Sequence, residues 1–484
     1  MRKQAFDVTI IGAGFAGSIL AWILSRSGMH VALVDAAVHP RFAIGESSTP
    51  IADIILRRLA STYEIPELAA LAYWGEWQQR FPMLACGRKR GFSYYQHAPD
   101  RAFSECSLGD RSLLIAASPT DALSDTHWYR PDVDQFFFQH AVESGARDYS
   151  GQRVTAIRRP SSSSSNFEVD CVGRDGTANI RSHWLIDASG AASVAARLLD
   201  APDRSKTLAT STAAIYAHYR NVGSWSKHLR EEGHDLSHDP FDADDAAQHH
   251  LLQQGWVWML RFNNRITSVG QTTPLAGRLG HAKLSSYPSI DSIMRDAHLV
   301  APSSGPVHTK RLQRLYAPVI DQRLLLLPTS ALTLDPLHST GIAHALAGVD
   351  RLAAILLMES RGEKDGAIER YAAVFEDETR YLDAMVSTAY STMSDFSKFA
   401  AACSLFIAGA INCEERYQSG DTPTHLWGAD RPEFVRFALE ACSQLQRSGE
   451  DFEEDIRVGL QPWNQAGLMN PHCHNRYAYT ATKQ

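Results

Sequence analysis

The first 35 residues constrain the fold more than any other part of the chain. The run from Asp7 to Ile11 is short and apolar, which is typical of a buried parallel strand. A glycine-rich turn, a helical pattern and a second strand ending at Asp35 follow in that order. Glycines let the backbone approach a pyrophosphate closely, and a helix N-terminus offers unpaired N–H groups. The segment therefore predicts a βαβ unit that binds a dinucleotide through Gly12, Gly14, Ala16, Gly17 and Asp35.

Composition narrows the class of protein. The 484 residues carry a net charge of −7, and the isoelectric point is about 6.3, which argues against a nucleic-acid partner. We find no run of about 18 consecutive apolar residues, so we predict no membrane span. The seven cysteines are irregularly spaced without a CxxC pair. This pattern indicates reduced thiols in a cytoplasmic protein, and we predict no metal site.

Three further motifs follow along the chain. Residues 45–50 read GESSTP, residues 184–190 read WLIDASG, and residues 334–341 read LDPLHSTG. In this order they resemble the FAD-binding segments of the flavin-dependent halogenases and of the related FAD monooxygenases. The resemblance covers about the first three quarters of the chain. It implies that the dinucleotide is FAD.

The resemblance also implies which residues contact FAD. Residues 130–134 (RPDVD) match a family segment whose arginine meets the flavin or its ribityl chain. The loop at Ser339 opens a helix and would point N–H groups at the flavin O2/N1 edge, although serine is also an ordinary N-cap residue. The implied FAD-binding residues are Arg41, Glu46, Ser47, Ser48, Arg130, Asp187, Gly190, Asp335, Ser339, Thr340 and Gly341.

The implied fold class is α/β (α+β). We expect a Rossmann-like three-layer ββα FAD-binding domain within residues 1–365, interleaved with a mixed-sheet substrate domain from segments of about 80–130 and 205–310. Residues 366–484 are predicted to form a helical C-terminal region. The pattern further predicts helices over 51–80 and 131–145, and a hairpin that turns at Asn263 and Asn264. Residues 226–250, rich in His, Asp and Glu, are predicted to form an exposed excursion.

Two segments bear on the chemistry. The halogenases carry W-x-W-x-I-P beside the flavin, whereas residues 256–261 of this chain read WVWMLR. Trp256 and Trp258 alternate along a strand, so both are predicted to line the cavity beside the flavin, with Arg261 on the opposite face. The halogenases also need a lysine between flavin and substrate, often in a K-x-G-aromatic pattern, which residues 89–92 match. Lys89 is therefore a catalytic candidate, although a basic run is more often a solvated surface.

His338 lies within the third motif. The halogenases usually have an aromatic or apolar residue at this place. A histidine there is a candidate general acid or base. The alternative interpretation is a polar packing residue.

The loss of the proline from W-x-W-x-I-P favours oxygen transfer. We predict an FAD-dependent monooxygenase that uses reduced flavin and O2, through a C4a-hydroperoxide, to hydroxylate an electron-rich aromatic such as an indole or tryptophan. Residues 86–95 (CGRKRGFSYY), 125–132 (DTHWYRPD), 255–264 (GWVWMLRFNN) and 267–271 (TSVGQ) are similar to segments of the peptidyl-tryptophan dihydroxylase of quinohaemoprotein amine dehydrogenase maturation. This resemblance extends the prediction to tryptophan within a protein. The alternatives are an FADH2-dependent halogenase of an aromatic substrate and a flavin dehydrogenase like the geranylgeranyl reductases. No second GxGxxG is present, so the reductant is expected from a flavin reductase or from NAD(P)H.

Overall fold

The computed structural model describes residues 5–103, 108–160, 166–174, 176–275, 281–447 and 452–478. The strands are β1 Phe6–Ile11, β2 Val31–Asp35, β3 Cys86–Lys89, β4 Gly91–Gln96, β5 Ser112–Ala116, β6 Asp125–Trp128, β7 Arg147–Ser150, β8 Gln152–Arg158, β9 Phe167–Gly173, β10 Gly176–Asp187, β11 Thr212–Arg220, β12 Ala246–Leu252, β13 Gly255–Arg261, β14 Ile266–Pro274, β15 His298–Ala301, β16 Val307–His308, β17 Arg314–Leu315, β18 Val319–Asp321, β19 Leu324–Leu326, β20 Leu332–Thr333 and β21 Arg476–Ala478. The α-helices are α1 Phe15–Arg26, α2 Pro50–Thr62, α3 Pro66–Ala70, α4 Trp74–Arg80, α5 Leu108–Arg111, α6 Arg130–Glu143, α7 Val194–Leu198, α8 Trp225–Glu231, α9 Pro288–Met294, α10 Pro328–Ala331, α11 Thr340–Leu357, α12 Arg361–Thr392, α13 Phe396–Gln418, α14 Pro432–Leu445 and α15 Glu453–Leu460.

The first sheet is built around the buried apolar strand β1. Its order is β18-β19-β10-β1-β2-β7, and β7, β2, β1, β10 and β19 run parallel. Helix α1 packs against α6 and α11. Because the central strands are parallel, their carboxyl ends share one edge, and the glycine turn, Asp35 and Asp187 all lie there. In open α/β sheets this edge is where ligands bind.

The second sheet is mixed and larger. Its order is β15-β11-β14-β13-β12-β4-β5-β21, with β16 beside β11. Strands β13 and β14 pair antiparallel across residues 262–265, which confirms the predicted hairpin. With helices α2 to α4 within residues 50–80 and α6 at residues 130–143, the α/β fold class is also confirmed. The predicted domain boundaries remain a prediction.

The prediction of an exposed excursion over residues 226–250 is wrong at its end. Every residue of β12 is buried, and the strand lies between β13 and β4. The ring of His249 stacks on Tyr94 with centroids 4.4 Å apart and lies 4.9 Å from Trp256. The polar composition of this segment predicts surface histidines, whereas in the fold the β12 histidine rings pack as aromatic groups. Helix α8 occupies part of the remaining segment.

The C-terminal region is mainly helical, as predicted, with one exception. Strand β21 forms an edge of the second sheet, where it pairs in parallel with β5. Helices α11 and α13 are long and apolar enough to cross a membrane, with 72% and 78% of the relevant windows buried inside the fold. Burial in the core of this fold accounts for their apolar character.

Candidate active site

The glycine turn between β1 and α1 is shaped by close backbone approach. Gly12 has φ of +110°, and a side chain there would collide with the loop after β10. A side chain at Gly17 would collide with the Gly12 carbonyl. The N–H of Ala13 donates to Asp35 Oδ2 at 2.8 Å, and Ala16 is buried in the first turn of α1. The turn is thus fixed against the end of β2, in the geometry that dinucleotide binding requires.

Two arginine side chains converge on this turn. A Cβ atom at Gly14 would lie 3.6 Å from Nη2 of Arg41 and 3.6 Å from Nη2 of Arg130. Arg130 is held by two bonds to Asp134, of 2.6 and 2.9 Å, and Arg41 donates to Asp35 at 3.2 Å. Fixed guanidinium groups beside a glycine turn complement the negative charge of a pyrophosphate. The residues present therefore fit a dinucleotide such as FAD.

The aspartate of the second motif, Asp187, binds backbone N–H groups of the loop that follows it. The carboxylate of Asp187 accepts the N–H of Ser189 at 2.9 Å and that of Ala195 at 2.7 Å. Burial raises the pKa of Asp187, and these bonds oppose that rise. Gly190 donates its N–H to Ser330 Oγ at 2.9 Å. Asp187 and Gly190 therefore fix the shape of the loop that faces the glycine turn.

The third motif leads into α11. Asp335 Oδ2 accepts from Thr212 Oγ1 at 3.0 Å and from the Tyr390 hydroxyl at 2.9 Å, and burial raises the pKa of Asp335 to about 7. Ser339 is the N-cap with φ of 53°, but its side chain accepts no N–H from the helix. A side chain at Gly341 would meet no atom within 4 Å. The start of α11, including Thr340, is thus not closed by a side-chain cap.

The GESSTP segment is held to the second sheet through Glu46, and through Ser47 and Ser48 to β6, which pairs with β3 in a separate two-stranded sheet. Glu46 Oε1 lies 2.6 Å from His218 Nε2, and both side chains are buried. Ser47 forms a β-bridge with His127 of β6. The N–H of Ser48 donates to β6 at 3.0 Å. The segment thus joins the FAD side of the molecule to the second sheet.

Lys89 is buried, in contrast to its basic neighbours. Its side chain is 0% exposed, its Nζ donates to Ser48 O at 2.5 Å, and Nζ lies 3.9 Å from the centre of the Phe92 ring. Arg88 instead forms an ion pair with Asp121 at the surface. The interpretation of Lys89 as part of a solvated basic run is therefore wrong. Strand alternation places its ammonium group inside, behind Phe92.

The two tryptophans of β13 share one face, as their spacing predicts. Trp256 Nε1 donates to the Tyr390 hydroxyl at 2.9 Å, and that hydroxyl in turn donates to Asp335 of the third motif. Trp258 Nε1 donates to Ser268 Oγ at 3.2 Å. The guanidinium of Arg261 lies on the other face, bound to loop groups of residues 222–223. The tryptophan face thus lies toward the third motif.

A cavity of about 40 Å³ lies between the GESSTP segment, the second sheet and α13. His338 lines it and stacks on Phe406, with ring centroids 4.2 Å apart and planes 9° apart. Neither ring nitrogen of His338 has a hydrogen-bond partner among the described residues. Burial lowers the pKa of His338 to about 3, so the imidazole is neutral near pH 7. The wall further includes Thr49, Phe92, Glu414 and Trp427.

Sequence reasoning missed the contribution of the C-terminal helices. Tyr390 of α12 and Phe406 and Glu414 of α13 reach the site, but this region carries no cofactor motif. One signal was present. Glu414 stands at helical spacing from Phe406 and Ala410, so a carboxyl group falls on an otherwise apolar helix face. Asp134, the partner of Arg130, was visible in RPDVD but was not assigned to the site.

Buried histidines predict a strong acid sensitivity. Burial lowers the pKa of His97, His127, His249 and His338 to about 3. In the unfolded chain each has a pKa of about 6.5, so the unfolded state binds more protons below that pH, and each histidine costs about 2 kcal/mol of stability at pH 5. Asp335, whose pKa is raised, acts in the opposite direction over part of this range.

We expect the unfolding temperature, measured by calorimetry, to fall steeply as the pH is lowered from 6.5 to 5. Replacing the exposed His30 by asparagine should leave this profile unchanged. A stability that stays constant between pH 7.5 and 5 would contradict the neutral, buried state of these four rings.

Among the described residues, no group of three His, Cys, Asp or Glu side chains is arranged to hold a metal ion.

Comparison with known proteins finds similarity to FAD-dependent oxidoreductases and to halogenases. A family model described as FAD dependent oxidoreductase matches residues 7–234. The tetracycline 7-halogenase of Kitasatospora aureofaciens is 27% identical over 88% of this chain and 77% of that protein. The monodechloroaminopyrrolnitrin halogenase PrnC of Pseudomonas fluorescens is 27% identical over 95% of this chain and 83% of that protein.

Solved structures share the fold. Halogenase PltM in complex with phloroglucinol and FAD superimposes with a TM-score of 0.83, covering 97% of this chain and 98% of that chain at 24% identity. The flavin-dependent brominase Bmp2 gives a TM-score of 0.55 at 18% identity. These comparisons support FAD as the cofactor. They favour the halogenase alternative over hydroxylation of tryptophan, which is unconfirmed.

Proposed function

The chain belongs to the flavin-dependent halogenase family, and from this membership we propose that it halogenates an electron-rich aromatic compound with reduced FAD, O2 and a halide ion. The single observation that carries the proposal is the buried ammonium group of Lys89. It lies between Ser48, in the segment that joins the FAD side to the second sheet, and Phe92, which lines the cavity.

The FAD-binding side of the mechanism uses the residues already described. Arg41 and Arg130 would neutralise the pyrophosphate at Gly14, and Asp35 would accept hydrogen bonds from the ribose. The N–H groups at the start of α11 would face the pyrimidine edge of the flavin. When bound and reduced, FAD would supply two of the four electrons that reduce O2, and the halide would supply the other two as it is oxidised to the level of hypohalous acid.

Lys89 is proposed to act on the substrate side of the site. Its ammonium group is held in a fixed position by Ser48 O, in surroundings from which water is excluded. In such surroundings a cation attracts and orients a polar halogenating species far more strongly than in water. We propose that the Lys89 ammonium group donates a hydrogen bond to the hypohalous acid formed from the halide and directs its halogen to the aromatic ring in the cavity. The ring then loses a proton, and the oxygen of the hypohalous acid leaves as water. At about 40 Å³ the cavity has room for a few water molecules but not for an aromatic ring, so its side chains must shift to admit a ring.

Product masses test this proposal. The FAD-loaded enzyme is incubated with a separate flavin reductase, NADH, O2 and bromide, together with phenols, indoles and a tryptophan-containing peptide. We expect a product that shows the isotope pattern of bromine. A product that gains oxygen without bromine would overturn halogenation and support the hydroxylation interpretation. The reaction with the tryptophan-containing peptide tests whether a protein can be the substrate. The flavin reductase as physiological partner, and the cytoplasmic location, remain predictions.

Trp258 is predicted to exclude water from the site. Its large ring packs on β14 against Gly270, on the face directed toward the third motif. Replacing Trp258 by alanine should open a cavity there, admit water, and raise hydrogen peroxide release per NADH consumed several-fold. The peroxide-to-product ratio is the measurement. Trp258→Phe retains a ring and should stay close to the wild type, and an unchanged ratio in Trp258→Ala would remove this role.

A further inference from the structure

We propose that His338 and Glu414 determine substrate specificity by binding a hydroxyl group of a neutral hydroxyarene in the cavity. The inference rests on the proposed function, since the same cavity holds the ring that is halogenated. It adds the chemical class of the substrate and the side chains that recognise it.

His338 provides the first observation. Its ring is 1% exposed, is fixed by stacking on Phe406, and lines the cavity with both nitrogens lacking a partner among the described residues. A buried polar atom without a hydrogen bond is costly, and native proteins rarely leave one without a reason. The neutral imidazole has one donor and one acceptor. A hydroxyl group both donates and accepts, so a hydroxyarene can pair with the His338 nitrogen that faces it whichever tautomer the ring adopts.

Glu414 provides the second observation. It is 3% exposed and lies on the face of α13 that also carries Phe406 and Ala410, at spacings of one and two helical turns. The other α13 residues of the cavity wall are apolar. A carboxyl group on such a wall is an acceptor for a hydroxyl proton. The carboxyl group of Glu414 thus complements the same type of ligand as His338.

The charge of the wall favours a neutral substrate. Among the described residues that line the cavity there is no lysine or arginine side chain. The carboxylate of an amino acid such as free tryptophan would find no cation there, and burying it unpaired would be costly. Phe92, Ile115, Phe406 and Trp427 instead provide apolar surface for an aromatic ring. A small neutral hydroxyarene fits both the polar and the apolar parts.

The test compares phenol with its methyl ether, anisole, which cannot donate a hydrogen bond. Both are titrated into oxidised, FAD-loaded enzyme by calorimetry. We expect the wild type to bind phenol at least tenfold more tightly than anisole. His338→Phe preserves the stacking on Phe406 but removes both nitrogens, and it should bring the affinity ratio close to one. His338→Gln should retain part of the ratio. Ile407→Leu, an apolar change in the same wall, should leave the ratio unchanged.

Glu414 is tested in the same way. Glu414→Leu should lower the phenol-to-anisole ratio, and Glu414→Gln should preserve part of it. Equal binding of the two ligands by the wild type, or a wild-type ratio in both His338→Phe and Glu414→Leu, overturns the proposal. If His338→Phe fails to retain FAD, the wild-type ratio together with His338→Gln and Glu414→Leu decides the matter.

These binding measurements need neither halide nor reductant. An enzyme that discriminates phenol from anisole through His338 but yields no halogenated product would therefore refute the proposed function alone. An enzyme that brominates arenes without this discrimination would refute the specificity assignment alone.

Discussion

Replacing Lys89 by methionine is expected to lower the rate of halogenated product formation by at least about 100-fold while FAD stays bound. Methionine has a similar length and no charge, so the packing behind Phe92 is largely kept and the ammonium group is lost. Lys89 is 0% exposed and is placed by its bond to Ser48 O, so no other position of the side chain compensates. The loss should appear in product formation and not in the flavin absorbance spectrum.

Arg88→Met is the matched control. It removes a neighbouring cation whose partners, Asp121 and Asp245, lie outside the cavity wall. Initial rates of brominated product, measured by mass spectrometry with reduced FAD and bromide, should stay near the wild type in this variant. Hydrogen peroxide release should persist in Lys89→Met, since O2 still meets reduced flavin. Wild-type bromination by Lys89→Met would remove Lys89 from the mechanism, and a partial loss would mean that Lys89 assists halogenation without being required for it.

Local sequence spacing predicted the local fold of the glycine turn. The distance from Gly12 to Asp35 spans one βαβ unit, and such a unit has few ways to fold, so the bond between Ala13 and Asp35 follows from chain connectivity. The family motifs implied that Arg41 and Arg130 contact FAD, with Arg130 at the flavin or its ribityl chain. The structure instead places both guanidinium groups beside Gly14 of the glycine turn. The bond to Asp134 that fixes Arg130 spans four residues of one helix, so it too could be read from RPDVD.

The substrate side could not be predicted in this way. Whether Lys89 is buried depends on which face of β3 the rest of the molecule covers. The basic run Arg88-Lys89-Arg90 does not show which of its side chains points inward. The burial of the β12 histidines could not be predicted, because the sequence does not distinguish a buried neutral imidazole from an exposed one. His338 and Phe406 are distant in sequence, and their stacking depends on how α13 packs, which no motif encodes.

Replacing Gly14 by glutamate is expected to abolish FAD binding, raising the dissociation constant by at least about 100-fold, or about 3 kcal/mol. A Cβ atom at this position would lie 3.6 Å from Nη2 of both Arg41 and Arg130. The carboxylate of a glutamate would therefore reach these guanidinium groups and take the place of the pyrophosphate. Purified Gly14→Glu should be colourless, and fluorescence titration with FAD should show no saturation at concentrations that saturate the wild type.

Two further variants separate this mechanism from a general loss of structure. Gly14→Ala adds one carbon at an ordinary van der Waals distance from the arginines, so it should weaken FAD binding less than glutamate does. Gly362→Glu places the same side chain near the start of α12, where a side chain would meet no atom within 4 Å, and should bind FAD like the wild type. Circular dichroism of Gly14→Glu should match that of wild-type protein stripped of FAD. Full retention of FAD by Gly14→Glu would show that the pyrophosphate does not lie between Arg41 and Arg130, because a glutamate cannot share that position with it.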